Sequence, residues 1–362
     1  MLIVDSHQDL AWNMLTFGRD YTRPVEKTHR LEAGGLTPSR NGDSLLGWPE
    51  FQRGHIGVIF ATLFAAPIRS KVGDWDKLTY ANPNEAHASY RAQLDAYHRL
   101  IDDHPDKFQL VQTLQDLELI LMAWEEEQDE DPPVGLVILM EGAEGVRQPD
   151  ELEEWWARGV RLIGPAWTGT RFCGGTNEPG PLTSEGFALL EAMNGLGFTL
   201  DLTHMDEQSV LQALDVYPGT LAATHSNPLA LLKGADSNRF LSDRVIEGVL
   251  ARDGIIGIPP FNKFLCWGWQ ESDGREAVSL EVVVNHIDYI CQMAGDANHV
   301  GIGTDFDGGF GWQSVPHEIN TIADLVKLIP LLGEKGYTQN DIRAIMGDNW
   351  LSMLKNTLPQ ST

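Results

Sequence analysis

Eight short apolar runs recur along this chain, and their regular alternation with polar, helix-like stretches restricts the fold more than any other feature. They occupy residues 2–9 (LIVDSHQD), 57–65 (GVIFATLFA), 134–144 (VGLVILMEGAE), 160–167 (VRLIGPAW), 198–204 (FTLDLTH), 220–226 (TLAATHS), 254–260 (GIIGIPP) and 300–308 (VGIGTDFDG). Most are apolar throughout, without the in-out alternation of a sheet with one wet face, so they read as strands buried on both sides. The stretches between them, 84–103, 150–159, 183–197, 206–216, 242–254 and 280–295, have helical patterns, and several open on Ser, Thr or Asp and close on Gly. Strands alternating with helices predict an α/β protein, a (β/α)8 TIM barrel with additional C-terminal helices such as 338–355. A barrel of this type commonly runs to ~250 residues or more as one unit, so residues 1–362 read as a single domain. Residues 18–55 read as irregular and too long for a plain connector, which predicts a functional loop after the first strand. The acidic run at 125–133 reads as a solvated turn ending a helix.

Composition removes several function classes. Apolar residues at 42% and charged residues at 22% are globular values, not those of a disordered chain. The net charge of −26 repels nucleic acid and anionic membrane surfaces, so neither is an expected partner. Cys173, Cys266 and Cys291 are far apart and form no CxxC pair, which predicts free thiols in a reducing compartment and no thiolate zinc site. No basic leader precedes the first strand, no apolar run reaches the ~18 residues of a membrane span, and the tail carries no lipid-anchor signal; the cytoplasm is the expected location.

In a barrel of this kind the active site lies at the C-terminal ends of the strands. By that rule the first strand delivers His7 and Asp9, the third Glu141, the fifth His204, the sixth His225 and the eighth Asp305. Any one of these is unremarkable, since a lone histidine after a strand usually serves a loop and Asp305 or Asp307 could simply shape a turn before Gly308. Their coincidence at one mouth is the signal. Imidazoles and carboxylates without a thiolate suit zinc or a similar divalent ion, and six such groups suffice for two ions sharing a carboxylate, with Glu141 the natural bridge. A bridged pair lowers the pKa of bound water toward ~7, and Asp305 is left to position that water and pass its proton to a leaving amine. Hydrolysis is the chemistry this set serves.

The order of motifs resembles the membrane (renal) dipeptidases, metal-dependent hydrolases related to the amidohydrolases. DSHQDLAWN is similar to the family's D-G-H-N-D-L start, WPEFQRGHIGVIFATLF to its second-strand region, MEGAEGV to its Glu-Gly segment and ARGVRLIGPAW to its G-V-R strand. LDLTHMDEQSV, ATHSNPLAL, NRFLSD and HVGIGTDFDGG resemble the four signatures that follow, so the likeness covers nearly the whole chain. It implies a zinc metallo-dipeptidase in which His7, Asp9 and Glu141 hold one Zn2+ and Glu141, His204 and His225 the second. It also implies that Asp305 lies near the catalytic water and the substrate's amino group, and that Arg239 binds the substrate's terminal carboxylate, for which a planar guanidinium fork is suited. The implied partner is a small dipeptide-like molecule, and the family's habit of dimerising makes a homodimer the assembly the resemblance allows.

One departure stands out. Where the family's fourth strand ends in L-T-H, with a histidine that contacts substrate and tetrahedral intermediate, this chain has Pro165-Ala166-Trp167. Loss of an oxyanion donor can cost about 10²- to 10³-fold in rate, so Trp167, as a substrate-contacting residue, points to a reshaped pocket and to Arg171 as a candidate compensating group. The family's Arg-Asn is Arg239-Phe240 here. Three readings follow: a dipeptidase; a relative acting on another small amide or N-acyl amino acid; and a non-catalytic binder. A barrel deaminase or phosphoester hydrolase is disfavoured, because strand one offers His-x-Asp where many of those enzymes have His-x-His, and strand four has no bridging lysine.

Overall fold

The computed structural model describes residues 1–125 and 131–360; the acidic run read as a turn at 125–133 lies mostly outside the described residues. Eight parallel strands close into a barrel: β1 (Ile3–Gln8), β2 (Ile56–Phe64), β3 (Val134–Glu141), β4 (Val160–Gly164), β5 (Thr199–Asp201), β6 (Leu221–Ala223), β7 (Ile255–Ile258) and β8 (Val300–Ile302). Each pairs with the next, and β1 pairs with β8 through Asp5 and Ile302, which closes the ring. A further short strand, Phe108–Leu110, pairs with the start of β3, whose later residues pair with β4. Every residue of the eight strands but Phe64 is buried, as continuous apolar runs require.

The predicted helices form where their end signals stand. Thr183, Asp206 and Ser242 each accept a backbone N–H of the first turn, and Gly197 and Gly295 close their helices in the left-handed conformation. The C-terminal stretch forms Gln339–Arg343 and Asn349–Thr357, joined by a π-helical segment at Ala344–Asp348. Gly347 lies against the backbone of Leu2 and Val4, so this segment packs on the start of β1. Among the described residues no helix is long and apolar enough to cross a membrane.

Residues 18–55 differ from the expected irregular loop. They contain three short helices, Val25–Glu32, Leu36–Asn41 and Trp48–Arg53. At six to eight residues each, such helices are marginal alone, and tertiary contacts set them. The anchor is Asp307, just beyond β8. Its carboxylate accepts Tyr21 Oη–H at 3.0 Å, Ser44 Oγ–H at 2.6 Å and Leu45 N–H at 2.9 Å, and pairs with Arg19 Nη1 at 2.9 Å. Both charged side chains of that pair are fully buried. Arg19 keeps a second carboxylate, Glu32, at 3.0 Å, but Asp307→Ala strands the buried Tyr21 and Ser44 hydroxyls and the Leu45 N–H, and is expected to cost about 3 kcal/mol or more of stability in chemical unfolding. A loss below about 1 kcal/mol, the range of an exposed ion pair, would show that this anchor does not hold the segment.

Candidate metal centre and active site

The strand ends converge as the sequence predicts. Asp9, Glu141, His204, His225 and Asp305 all line one cavity of about 760 Å³ at the C-terminal mouth of the barrel, and His7 lies fully buried beneath them. Two triads, His7 with Asp9 and Glu141, and Glu141 with His204 and His225, each bring three donor atoms within 4.8 Å of one another. They share Glu141. A third triad, His7 with His225 and Asp305, meets the same condition.

Local backbone geometry aims these groups. His204 and Asp305 follow their strands at φ 68° and φ 56°, a left-handed conformation uncommon away from glycine, and this turns each chain sharply at the mouth. After Glu141 the same turn is made by Gly142 at φ 78°. Asp305 is pinned by its own N–H donating to His7 O at 3.1 Å. A Cβ at Gly308 would collide with Asp305 Oδ1 and Asp9 Oδ2, so the glycine gives both carboxylates room.

The donor spacing suits groups arranged around ions, with His204 Nε2 and His225 Nε2 also within hydrogen-bond distance of each other. His7 Nε2 is buried with no hydrogen-bond partner among the described residues; it stands 3.7 Å from Glu141 Oε2 and 4.0 Å from Asp9 Oδ2 and Asp305 Oδ1. His204 Nε2 and His225 Nε2 approach to 3.1 Å and lie 3.1 and 3.5 Å from Glu141 Oε1. Two nitrogens bound to one tetrahedral zinc at ~2.0–2.1 Å lie ~3.4 Å apart, close to the spacing seen here. Behind them, His204 Nδ1 meets Thr176 Oγ1 at 2.9 Å and His225 Nδ1 meets Thr224 Oγ1 at 3.2 Å. Thr224 in turn donates to Asp201 Oδ2 at 2.7 Å. With Nδ1–H as donor, each ring presents its Nε2 lone pair to the site. On the other side, the Thr62 hydroxyl donates to Asp9 Oδ1.

Electrostatics lead the same way. Burial, reinforced by the charge of Arg239, holds His7, His204 and His225 well below the ordinary imidazole range, so they are neutral, as ligands must be. Burial, then the neighbouring Asp9, pushes Glu141 and Asp305 well above the carboxylate range. Asp9 rises to about 6 through burial, with the Thr62 hydroxyl opposing. With protein groups alone these carboxylates repel one another, and a divalent cation between them relieves that repulsion. The residues fit a metal centre.

Arg239 is buried beside this cluster. Nη1 donates to Ser226 Oγ at 3.0 Å and Nη2 to His225 O at 2.7 Å, while Nε–H has no partner among the described residues. Burial pushes the guanidinium down to about 10, against the pull of Asp305, Glu141 and Asp201. Neither Asp236 nor Asp243 pairs with it; Asp243 accepts Tyr289 Oη–H instead. Phe240 packs edge-on against Phe264, over which Arg239 stacks. Trp167 lines the cavity, its ring 5.0 Å from Phe64 and 6.2 Å from His204 between centroids. Arg171 does not compensate for the missing strand-four histidine: it is absent from the lining of this cavity, pairs with Glu144 and Glu185 and stacks on Phe172.

Several contributors escaped sequence reasoning. Thr62, Thr176 and Thr224 carry no signal beyond ordinary strand or loop composition. Trp12, Trp75 and Arg40 also line the cavity, from segments whose path over the mouth no local pattern reveals. Asp5, four residues before Asp9, serves structure: it accepts Gln8 Nε2–H, Thr304 N–H and Thr304 Oγ1–H and ties β1 to the end of β8.

A parallel barrel with neutral imidazoles and carboxylates gathered at its mouth defines a metal-dependent hydrolase. Residues 1–360 match the family described as membrane dipeptidase, peptidase family M19; the chain belongs to that family and is an enzyme of the metallo-dipeptidase class. Among relatives, a Klebsiella pneumoniae protein described as an uncharacterized protein in the pqqA 5′ region is 34% identical over 243 residues, 64% of this chain and 85% of its own. An uncharacterized dipeptidase of Schizosaccharomyces pombe is 23% identical over 98% of this chain and 80% of its own. The fold is shared with a metallopeptidase from Rhodobacter sphaeroides solved with a phosphinate mimic of the dipeptide L-Ala-D-Ala, at TM-score 0.78, 22% identity and 99% coverage of both chains. It is shared also with the probable dipeptidase PvdM from Pseudomonas aeruginosa, at TM-score 0.77, 19% identity and coverage of 100% of this chain and 96% of the other.

Proposed function

We propose that this chain hydrolyses the amide bond of small dipeptides at a binuclear zinc centre in which His7, Asp9 and Glu141 hold one ion and Glu141, His204 and His225 the other. The observation that carries this reading is the pair of donor triads sharing one buried carboxylate. When bound, such ions supply Lewis-acid polarisation of the scissile carbonyl and bring water acidity near neutrality. The protein's own groups do the rest. Arg239, buried with an unpartnered Nε–H at the cavity wall, binds the substrate's terminal carboxylate. Asp305, on the same wall, orients the attacking water, accepts its proton on the carboxylate and delivers it to the departing amine nitrogen. Thr62, Thr176 and Thr224 hold Asp9, His204 and His225 in the orientation the centre needs.

The test is amine release from L-Xaa-L-Xaa, L-Xaa-D-Xaa and N-acyl amino acids by zinc-reconstituted protein, with and without chelator. Cleavage of dipeptides that chelator abolishes and zinc restores is the expected result. Turnover by the pure protein that survives complete metal removal would refute the proposal.

The third triad supports a second arrangement, a single ion held by His7, His225 and Asp305. It would make Asp305 a ligand instead of a proton carrier, and the two arrangements differ in ion count.

A further inference from the structure

Two aromatic clusters face each other across the mouth. One, formed by Trp12, Phe64, Trp75 and Trp167, stands over the ends of β1, β2 and β4; the other, Phe240, Phe261, Phe264 and Trp267, lies beyond β6 and β7, with Arg239 stacked on Phe264. In the barrel these strand sets lie on opposite sides of the ring. The first cluster is continuous: Trp12 lies 6.5 Å from Phe64 and 6.3 Å from Trp75, and Phe64 lies 5.0 Å from Trp167, all between ring centroids. Strands β2 and β4 flank β3, whose last residue is Glu141, so Phe64 and Trp167 meet beside the bridging carboxylate. A histidine at 167 would replace the broad indole that closes this wall with a smaller polar ring.

We propose that Trp12, Phe64, Trp75 and Trp167 form a side-chain subsite that selects dipeptides with a large apolar, preferably aromatic, amino-terminal residue, and that Trp167 is its specificity-determining member. The assignment to the amino-terminal residue rests on the proposed function: with the carboxylate on Arg239 and the scissile bond at the triads, the substrate's first side chain falls on the wall opposite Arg239. Apolar chemistry follows from the lining. The acidic groups on this side are Asp9 and Glu141, turned to the donor cluster, Asp76, which is buried and accepts Val72 N–H, and Glu178, which is paired with Arg69 at 2.6 Å, while Arg40 at the rim disfavours a cationic side chain. Four aromatic rings around one side chain offer offset and edge-to-face contacts that a methyl group cannot make.

The experiment is calorimetric binding of intact L-Phe-L-Ala, L-Phe-D-Ala, L-Ala-L-Ala, L-Ala-D-Ala and L-Lys-D-Ala to chelator-stripped protein, followed by kcat/KM for the same peptides after zinc loading. Burial of an aromatic side chain predicts that at least one phenylalanyl peptide binds about ten- to hundredfold more tightly than its alanyl counterpart. The ratio should fall toward unity in Phe64→Ala and Trp75→Ala, and should shrink in Trp167→His. Equal affinities, tighter binding of the lysyl peptide, no detectable binding of any peptide, or a ratio untouched by all three substitutions would overturn the proposal. Zinc-dependent cleavage of every peptide without the ratio would remove the subsite and keep the dipeptidase reading. The binding ratio without any cleavage would keep the subsite and remove that reading.

Discussion

Glu141→Gln is expected to lower dipeptide hydrolysis by about 10³-fold or more, because the shared carboxylate contributes to both ions and the several kcal/mol they supply to the transition state go with it. The variant should hold at most one ion tightly. A folding readout separates this from collapse. In the presence of chelator Glu141 is a buried carboxyl crowded by Asp9, Asp305 and Asp201, and an amide of the same shape removes that repulsion. The variant's Tm in chelator should therefore equal or exceed that of the parent, while the rise in Tm on adding zinc should be much smaller. A variant that still binds two ions and retains most of its activity would show that Glu141 is not the bridge.

Asp305→Asn is expected to lower kcat by about 10²- to 10⁴-fold, the usual contribution of a positioned general acid–base, with both ions still bound. Asparagine tolerates the left-handed backbone that Asp305 adopts at φ 56°, so the turn after β8 should persist. Ion content then becomes decisive. If His7, His225 and Asp305 form a ligand set of their own, the substitution releases an ion along with activity; if Asp305 carries protons, the ions stay and the dependence of rate on pH changes. Retention of parental kcat would exclude both roles.

The barrel and the convergence of its polar strand ends were legible in the chain because each depends on local pattern. Continuous apolar runs mark strands with two buried faces, and the residue that ends each run must lie at one rim or the other. His7, Glu141, His204 and His225 are readable on that logic alone, and the spacing of His7 and Asp9 adds a shared direction. The three helices within residues 18–55 were not legible. They are short, and what fixes them is Asp307, more than 250 residues away along the chain from Arg19, Tyr21 and Ser44. The hydroxyls of Thr62, Thr176 and Thr224 were likewise invisible, since a threonine in or beside a strand is ordinary until its partner is in place. Trp167 was legible as a departure but its neighbours were not: Phe64 meets it from the end of β2, across β3, and Trp75 joins the cluster against Trp12 through the path of the loop after β2. Arg171, nearby in sequence, is drawn away by Glu144 and Glu185.

Elemental analysis of zinc per chain, made on the same sample whose dipeptide hydrolysis is followed through stepwise removal and return of the metal, tests the shared-carboxylate centre most directly. Two equivalents bound, with hydrolysis lost as they leave and recovered as they return, is the predicted result. Full hydrolysis at one equivalent or none would contradict it.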